Sequence, residues 1–143
     1  MALASNVAKY FLWLVDPEVG EMMSNLKLQK LLYYSQGFHL AMYGSVLFDE
    51  DILAWEHGPV VESIYRAYKI YGAQGIPIPD DLDDLCLNET ETNLLKEVYD
   101  VYGQFSAWKL RNMTHSEQPW IETPRNQPID RALMQSFFKN YLS

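Results

Sequence analysis

The sequence contains one cysteine and none of the common catalytic or nucleotide-binding motifs. Cys86 cannot form a disulfide within the chain, and the three histidines offer no ligand spacing, such as C-x2-C or H-x3-H, that holds zinc. The motifs G-x-x-x-x-G-K-[ST], G-x-G-x-x-G, G-x-S-x-G and H-E-x-x-H are all absent. We therefore expect no enzyme activity, no metal and no cofactor.

Long apolar segments are also missing. No apolar run approaches the roughly 18 residues that cross a bilayer. The chain begins Met1-Ala2-Leu3-Ala4-Ser5, without the charged and apolar regions of a secretory signal. We expect a cytoplasmic protein that does not enter a membrane.

Positive charge is scarce. The 11 lysines and arginines are outnumbered by 19 aspartates and glutamates, which leaves a net charge of −8. A field of this sign repels polyanions, so direct binding to nucleic acid is unlikely. The acidic residues cluster at Asp49-Glu50-Asp51 and at Asp80-Asp81-Leu82-Asp83-Asp84. Such clusters are usually solvated loops, but they can also steer a basic partner toward the protein.

What the sequence does contain is helical periodicity, which recurs along most of its 143 residues. We predict a mainly α, compact single-domain bundle of about six helices spanning residues 1–143, with a small β-hairpin between helices 2 and 3. Capping residues mark several helix starts. The predicted helices are residues 3–15, 24–43, 59–71, 88–105, 106–114 and one that begins after Asp130.

Two segments depart from this pattern. Val46-Leu47-Phe48 and Ile52-Leu53-Ala54-Trp55 are short, apolar and separated by acidic residues, which predicts the two strands of the hairpin. Residues 72–87 contain two prolines and four aspartates, and we predict a surface loop there.

The second predicted helix has an unusual composition. Its core face carries Leu28, Leu31 and Leu32, and the adjoining strip carries Lys30 and Tyr34, which we expect to face a partner. Gly37 lies within this helix, where glycine costs about 1 kcal/mol relative to alanine. We expect a close backbone approach at Gly37 to compensate, from the first helix or from a helix of the partner.

Three blocks of sequence are recognisable. The first runs from Leu26-Lys27-Leu28-Gln29-Lys30-Leu31-Leu32-Tyr33-Tyr34-Ser35-Gln36-Gly37 to Ala54-Trp55-Glu56-His57-Gly58-Pro59-Val60-Val61. The others are Val7-Ala8-Lys9-Tyr10-Phe11 and Thr114-His115-Ser116-Glu117-Gln118-Pro119-Trp120. In this order they resemble the SocA-like, or Panacea, antitoxin domain of bacterial toxin–antitoxin pairs, phages and other mobile elements.

The resemblance implies an antitoxin of a type II system, which neutralises a cognate toxin, encoded by the adjacent gene, through direct protein contact. It leaves two alternatives open: an adaptor that delivers the bound toxin to an ATP-dependent protease, and a phage-associated regulatory protein. From the shared blocks we select the following partner-binding candidates: Lys30, Tyr34, Trp55, His57, Pro59, Tyr65, His115 and Trp120. Trp55, Pro59 and Trp120 can equally serve the fold.

His57 and His115 also have structural interpretations. His57 precedes Gly58-Pro59 and can hydrogen-bond a turn or a helix end. We expect His115 to join a local network with Thr114 and Glu117.

Overall fold

Seven α-helices and a two-stranded antiparallel hairpin make up the computed structural model, which describes residues 1–82 and 85–142. The helices are α1 (Ala4–Leu14), α2 (Asn25–Tyr43), α3 (Glu62–Tyr68), α4 (Glu89–Tyr102), α5 (Ala107–His115), α6 (Gln118–Ile121) and α7 (Arg131–Lys139). The strands are β1 (Leu53–Trp55) and β2 (Gly58–Val60). The predicted fold class, mainly α with a small hairpin between helices 2 and 3, is confirmed.

Local hydrogen bonds set the helix ends where capping residues predicted them. Ser24 Oγ accepts from Lys27 N at 3.2 Å, and Gly44 ends α2 with φ 70°. Asn88 and Glu91 form a reciprocal capping box at the start of α4. Ser106 caps α5 by accepting from Lys109 N, and Asp130 caps α7 by accepting from Ala132 N and Leu133 N. The short α6, which begins next to Pro119, was not predicted.

The hairpin forms, and the predicted Ile52–Trp55 segment contains β1, but its partner is β2 and not the predicted Val46–Phe48 segment. Leu53 pairs with Val60 and Trp55 with Gly58, so the Gly58-Pro59 segment is a strand and α3 begins only at Glu62. Val46-Leu47-Phe48 forms no strand because the Gln36 side chain accepts from Leu47 N at 2.8 Å and donates to Phe48 O at 2.7 Å. The Gly58-Pro59 helix start and the Val46–Phe48 strand were therefore wrong.

α2 is the central element of the fold, and the other long elements pack around it. Twelve of its residues are buried, including the polar side chains of Asn25, Gln29, Lys30, Ser35 and Gln36. This helix therefore has no solvent-facing polar side along most of its length. No helix in the described part of the chain is long and apolar enough to cross a membrane.

Gly37 is compensated by a side chain of the last helix. A Cβ at Gly37 would overlap the ring of Phe138, which is fully buried against the aromatic rings of Tyr33 and Tyr34. The expected close approach at Gly37 exists, but the approaching group is the Phe138 ring of α7 and not the backbone of α1.

The segment from residue 72 to residue 87 has no helix or strand in its described part, as predicted. Two of its side chains are nevertheless buried: Ile76, whose amide donates to Met23 O at 2.8 Å, and Leu85. Asp83 and Asp84 of the second acidic cluster lie outside the described residues.

Candidate partner-binding site

Three polar side chains of α2 hold the hairpin and the start of α3 in place. Lys30 Nζ donates to Pro59 O at 3.1 Å, Gln29 Oε1 accepts from Val61 N at 2.8 Å, and Asn25 Nδ2 donates to Tyr65 O at 3.0 Å. Each bond satisfies a backbone group of the hairpin, of the residue before α3 or of α3 itself, and buried backbone groups need a partner. The polar residues of α2 thus position the hairpin.

Gly58 lets the hairpin lie closely between α2 and α5. Its φ is +109°, and a Cβ there would come within 2.7 Å of Lys30 Cε and 2.8 Å of Thr114 Oγ1. Only glycine fits this conformation and this space without strain.

The sequence predicted that Lys30 and Tyr34 lie on an exposed strip that faces a partner. This prediction was wrong. Their relative exposures are 0% and 1%. The Tyr34 ring stacks on Tyr102 of α4 at 4.0 Å between centroids. Burial lowers the pKa of Lys30 to about 7, and the nearby positive charge of Arg111 acts in the same direction.

Glu117 lies at the inner end of the Thr114–Trp120 block. Its two carboxylate oxygens accept from the hydroxyls of Tyr33 at 2.9 Å and Tyr34 at 2.8 Å. Burial raises the pKa of Glu117 to about 7, although both hydrogen bonds oppose this shift. The expected network of His115, Thr114 and Glu117 does not form between side chains, because the Glu117 carboxylate faces α2 and Thr114 Oγ1 donates to Arg111 O at 2.8 Å. Of the expected contacts, the backbone bond from Glu117 N to Thr114 O is present at 3.1 Å.

His115 packs instead on Trp120. Their rings are stacked at 4.0 Å with an interplanar angle of 10°, and the guanidinium carbon of Arg125 lies 3.7 Å from the same Trp120 ring. Trp120 thus contacts both the His115 ring and the Arg125 guanidinium. Burial, followed by the charge of Arg111, lowers the pKa of His115, which favours a neutral ring in this stack.

This stack is joined to the hairpin through Trp55. The carbonyl oxygen of Trp55 accepts from Trp120 Nε1 at 2.8 Å and from Arg125 Nη1 at 3.4 Å. Arg125 also donates to Trp120 O and Thr123 O. The two tryptophans therefore connect β1 to the segment around α6, and their structural role is evident.

On the other side of the hairpin an open pocket of about 490 Å³ is formed. Trp55 and Tyr65 contribute rings that meet edge to face at 5.0 Å. The other lining residues are Asn25, Leu26, Gln29, Glu56, His57, Val60, Lys69, Gly72, Ala73 and Asn126. Its exposed polar residues, which we call the polar rim, are Glu56, His57, Lys69 and Asn126. A concave site that combines aromatic side chains with a polar rim is suited to receive an apolar side chain of a partner.

His57 lies at the tip of the hairpin and meets α5. Its Nδ1 accepts from Arg111 Nε at 3.2 Å, and the Arg111 guanidinium lies over the Trp108 ring at 4.4 Å from the centroid. Sequence reasoning missed Arg111 and Trp108 as site residues. Their i, i+3 spacing on a helix was the available signal, because it places both side chains on one face.

The predicted site residues thus divide into three sets. Trp55, His57 and Tyr65 line the pocket. Pro59 belongs to the hairpin itself, Lys30 and Trp120 donate hydrogen bonds to hairpin carbonyls, and His115 stacks on Trp120. Tyr34 is apart from the hairpin, on Glu117. In the part of the chain that the structure describes, no group of three or more histidine, cysteine, aspartate or glutamate side chains could hold a metal ion.

Comparison with known proteins places the same residues in a shared segment. The family described as "Antitoxin SocA-like, Panacea domain" matches residues 28–121. "Antitoxin SocA" of Caulobacter vibrioides (strain NA1000 / CB15N) is 41% identical over 54 residues. That alignment includes 38% of this chain but covers only 29% of the relative's length. No solved structure matches the chain.

Proposed function

Because this chain belongs to the SocA-like antitoxin, Panacea domain family, we propose that it is an antitoxin of a type II system that neutralises a protein toxin by direct binding. It acts in the cytoplasm, beside its toxin, and catalyses no reaction. The observation that carries this proposal is the family match over residues 28–121, which encloses every partner-binding residue selected from the sequence.

The pocket beside the hairpin is the surface that we assign to the toxin. Trp55 and Tyr65 provide a large aromatic contact area, and binding energy in protein interfaces concentrates on such anchors in desolvated pockets. The polar rim, which includes His57 and Lys69, supplies hydrogen bonds that orient the partner.

Preorganisation supports this assignment. Asn25 and Lys30 donate hydrogen bonds to α3 and the hairpin, and Gln29 accepts one from Val61 N, so this part of the structure is ordered before any partner arrives. A surface that is already ordered loses little conformational entropy on binding, so more of the contact energy appears as affinity.

Co-expression tests the proposal. The reading frame next to this gene should be toxic when expressed alone, and this protein should restore growth and co-purify with the toxin. We expect Tyr65→Ala to abolish rescue, because it removes the ring that faces Trp55, while the melting temperature changes by only a few degrees.

The matched control is Tyr43→Ala, which removes a 47% exposed tyrosine at the end of α2. It should leave rescue intact. Failure of the wild-type protein to neutralise the toxin, or equal rescue by Tyr65→Ala and wild type, would contradict the proposal.

A further inference from the structure

Arg111 has hydrogen-bond donors that the protein does not use. Its Nε donates to His57 Nδ1 at 3.2 Å and its Nη1 to Asn112 Oδ1 at 3.0 Å. Its Nη2 has no acceptor among residues 1–82 and 85–142, and no carboxylate of those residues pairs with it. Arg111 is partly exposed, and its Nη2 is therefore the guanidinium nitrogen that remains available to a partner.

Arg111 has no acidic partner among the described residues. The chain carries a net charge of −8, but only Arg66 and Arg131 among its described cations form an ion pair with a described carboxylate. The positive charge of Arg111 also contributes to the lowered pKa values of Lys30 and His115. An anion from outside the chain would neutralise it.

The guanidinium is held in a fixed orientation. Trp108 lies against its face, and Nε donates to His57, so the guanidinium plane and Nη2 cannot rotate without losing a contact. The charged N–H groups of Nη2 can donate to a carboxylate oxygen. Trp108 is 57% exposed and can cover the aliphatic stem of an acidic side chain.

One anion fits this site better than a row of phosphates. Lys30 is buried and donates to Pro59 O, and Arg125 donates to three backbone carbonyls. Neither cation is available to extend a track for nucleic acid, and the acidic protein repels a polyanion at long range.

We propose that Arg111, oriented by His57 and flanked by Trp108, binds an aspartate or glutamate side chain of the toxin. The inference rests on the proposed antitoxin function and names the chemistry of the partner: an acidic side chain positioned next to the apolar group that enters the Trp55–Tyr65 pocket.

A double-mutant cycle tests it on the purified complex of the full chain with the neighbouring toxin. We expect Arg111→Gln to weaken binding at least about 30-fold, because truncation leaves the toxin carboxylate buried and unpaired. One acidic-to-amide change in the toxin should cause a similar loss, and the double variant should lose little more than either single variant. Arg66→Gln, which removes the same charge from an exposed ion pair, should bind within about threefold of wild type.

The outcomes separate the two proposals. If the wild-type chain forms no complex with the toxin, the antitoxin function fails. If the complex forms but Arg111→Gln binds like wild type, or the losses in the double variant add, this inference is overturned. Arg111-dependent binding of a short fluorescent single-stranded RNA would also overturn it, in favour of nucleic acid. If Arg111→Gln does not fold, the test uses toxin variants with the wild-type chain. Each interfacial aspartate or glutamate of the toxin is changed to its amide. If the toxin keeps its affinity after all of these changes, the proposal is contradicted.

Discussion

Lys30 and Glu117 are buried ionisable groups whose pKa values both lie near 7, because burial shifts them in opposite directions. Burial raises the pKa of the carboxyl from its ordinary value of 4.5 and lowers that of the amine from 10.5. Each is retained in the interior because it satisfies a specific partner: Pro59 O for Lys30, and the hydroxyls of Tyr33 and Tyr34 for Glu117.

These shifts predict how stability varies with pH. Between about pH 4.5 and 7 the folded state binds more protons at Glu117 than the unfolded state, so its contribution to the free energy of unfolding falls as pH rises, by up to about 3 kcal/mol. Above about pH 7 the unfolded state binds more protons at Lys30, so the contribution of that residue rises with pH. Urea denaturation from pH 5 to 9 measures both.

Two variants isolate these effects from those of the other titrating groups. His115 is one of these groups: its lowered pKa makes the free energy of unfolding rise with pH in the acidic range, which opposes the effect of Glu117. The stability of wild type relative to Glu117→Gln should fall between pH 5 and 7, and its stability relative to Lys30→Met should rise between pH 7 and 9. Parallel pH profiles for wild type and both variants would contradict the prediction.

At the scale of elements, the contact of α2 with α7 depends on Gly37 and Phe138. An alanine in a helix interior normally stabilises it by about 1 kcal/mol relative to glycine. At Gly37 we expect the opposite sign, because the added methyl group would overlap the buried Phe138 ring and overpacking costs about 1–3 kcal/mol. Gly37→Ala should therefore lower the urea midpoint.

The double variant Gly37→Ala with Phe138→Leu is the control for that mechanism. The smaller side chain removes the overlap, so the added methyl group should cost less in the Phe138→Leu background than in wild type. An equal cost in both backgrounds would mean that the α2–α7 contact is not the cause.

At the scale of the whole molecule, net charge governs encounter with a partner. The first acidic cluster is partly engaged within the protein: Arg131 Nη2 lies 3.5 Å from Asp49 Oδ1 and 3.7 Å from Asp51 Oδ1, and Glu50 accepts from Ala4 N at 3.1 Å. The overall charge of −8 nevertheless gives the surface a negative field.

If the toxin is basic, its association rate with this protein should fall as salt rises from about 20 to 500 mM, because the Debye length shortens below the distance over which the two fields act. The dissociation rate should change less. Stopped-flow measurement of both rates tests this, and an association rate independent of ionic strength would exclude steering.

Sequence alone determined the parts of this protein that depend on neighbours in the chain. Ser24, Asn88, Ser106 and Asp130 cap their helices through bonds to amides two or three residues away, so local spacing was sufficient to predict these helix starts. The family-like blocks were sufficient to identify the family.

The tertiary structure decided what depends on distant segments. Lys30 and Tyr34 were predicted to lie on a surface strip. The periodicity of α2 does not reveal that other elements enclose this helix on nearly every side, so their burial could not be predicted. The partner of β1 depended on Gln36, whose side chain occupies the backbone groups of Leu47 and Phe48. His57 and Arg111, which form a hydrogen bond, are 54 residues apart in the sequence. Burial and unsatisfied charge are properties of packing, so the candidate site became visible only when these segments were brought together.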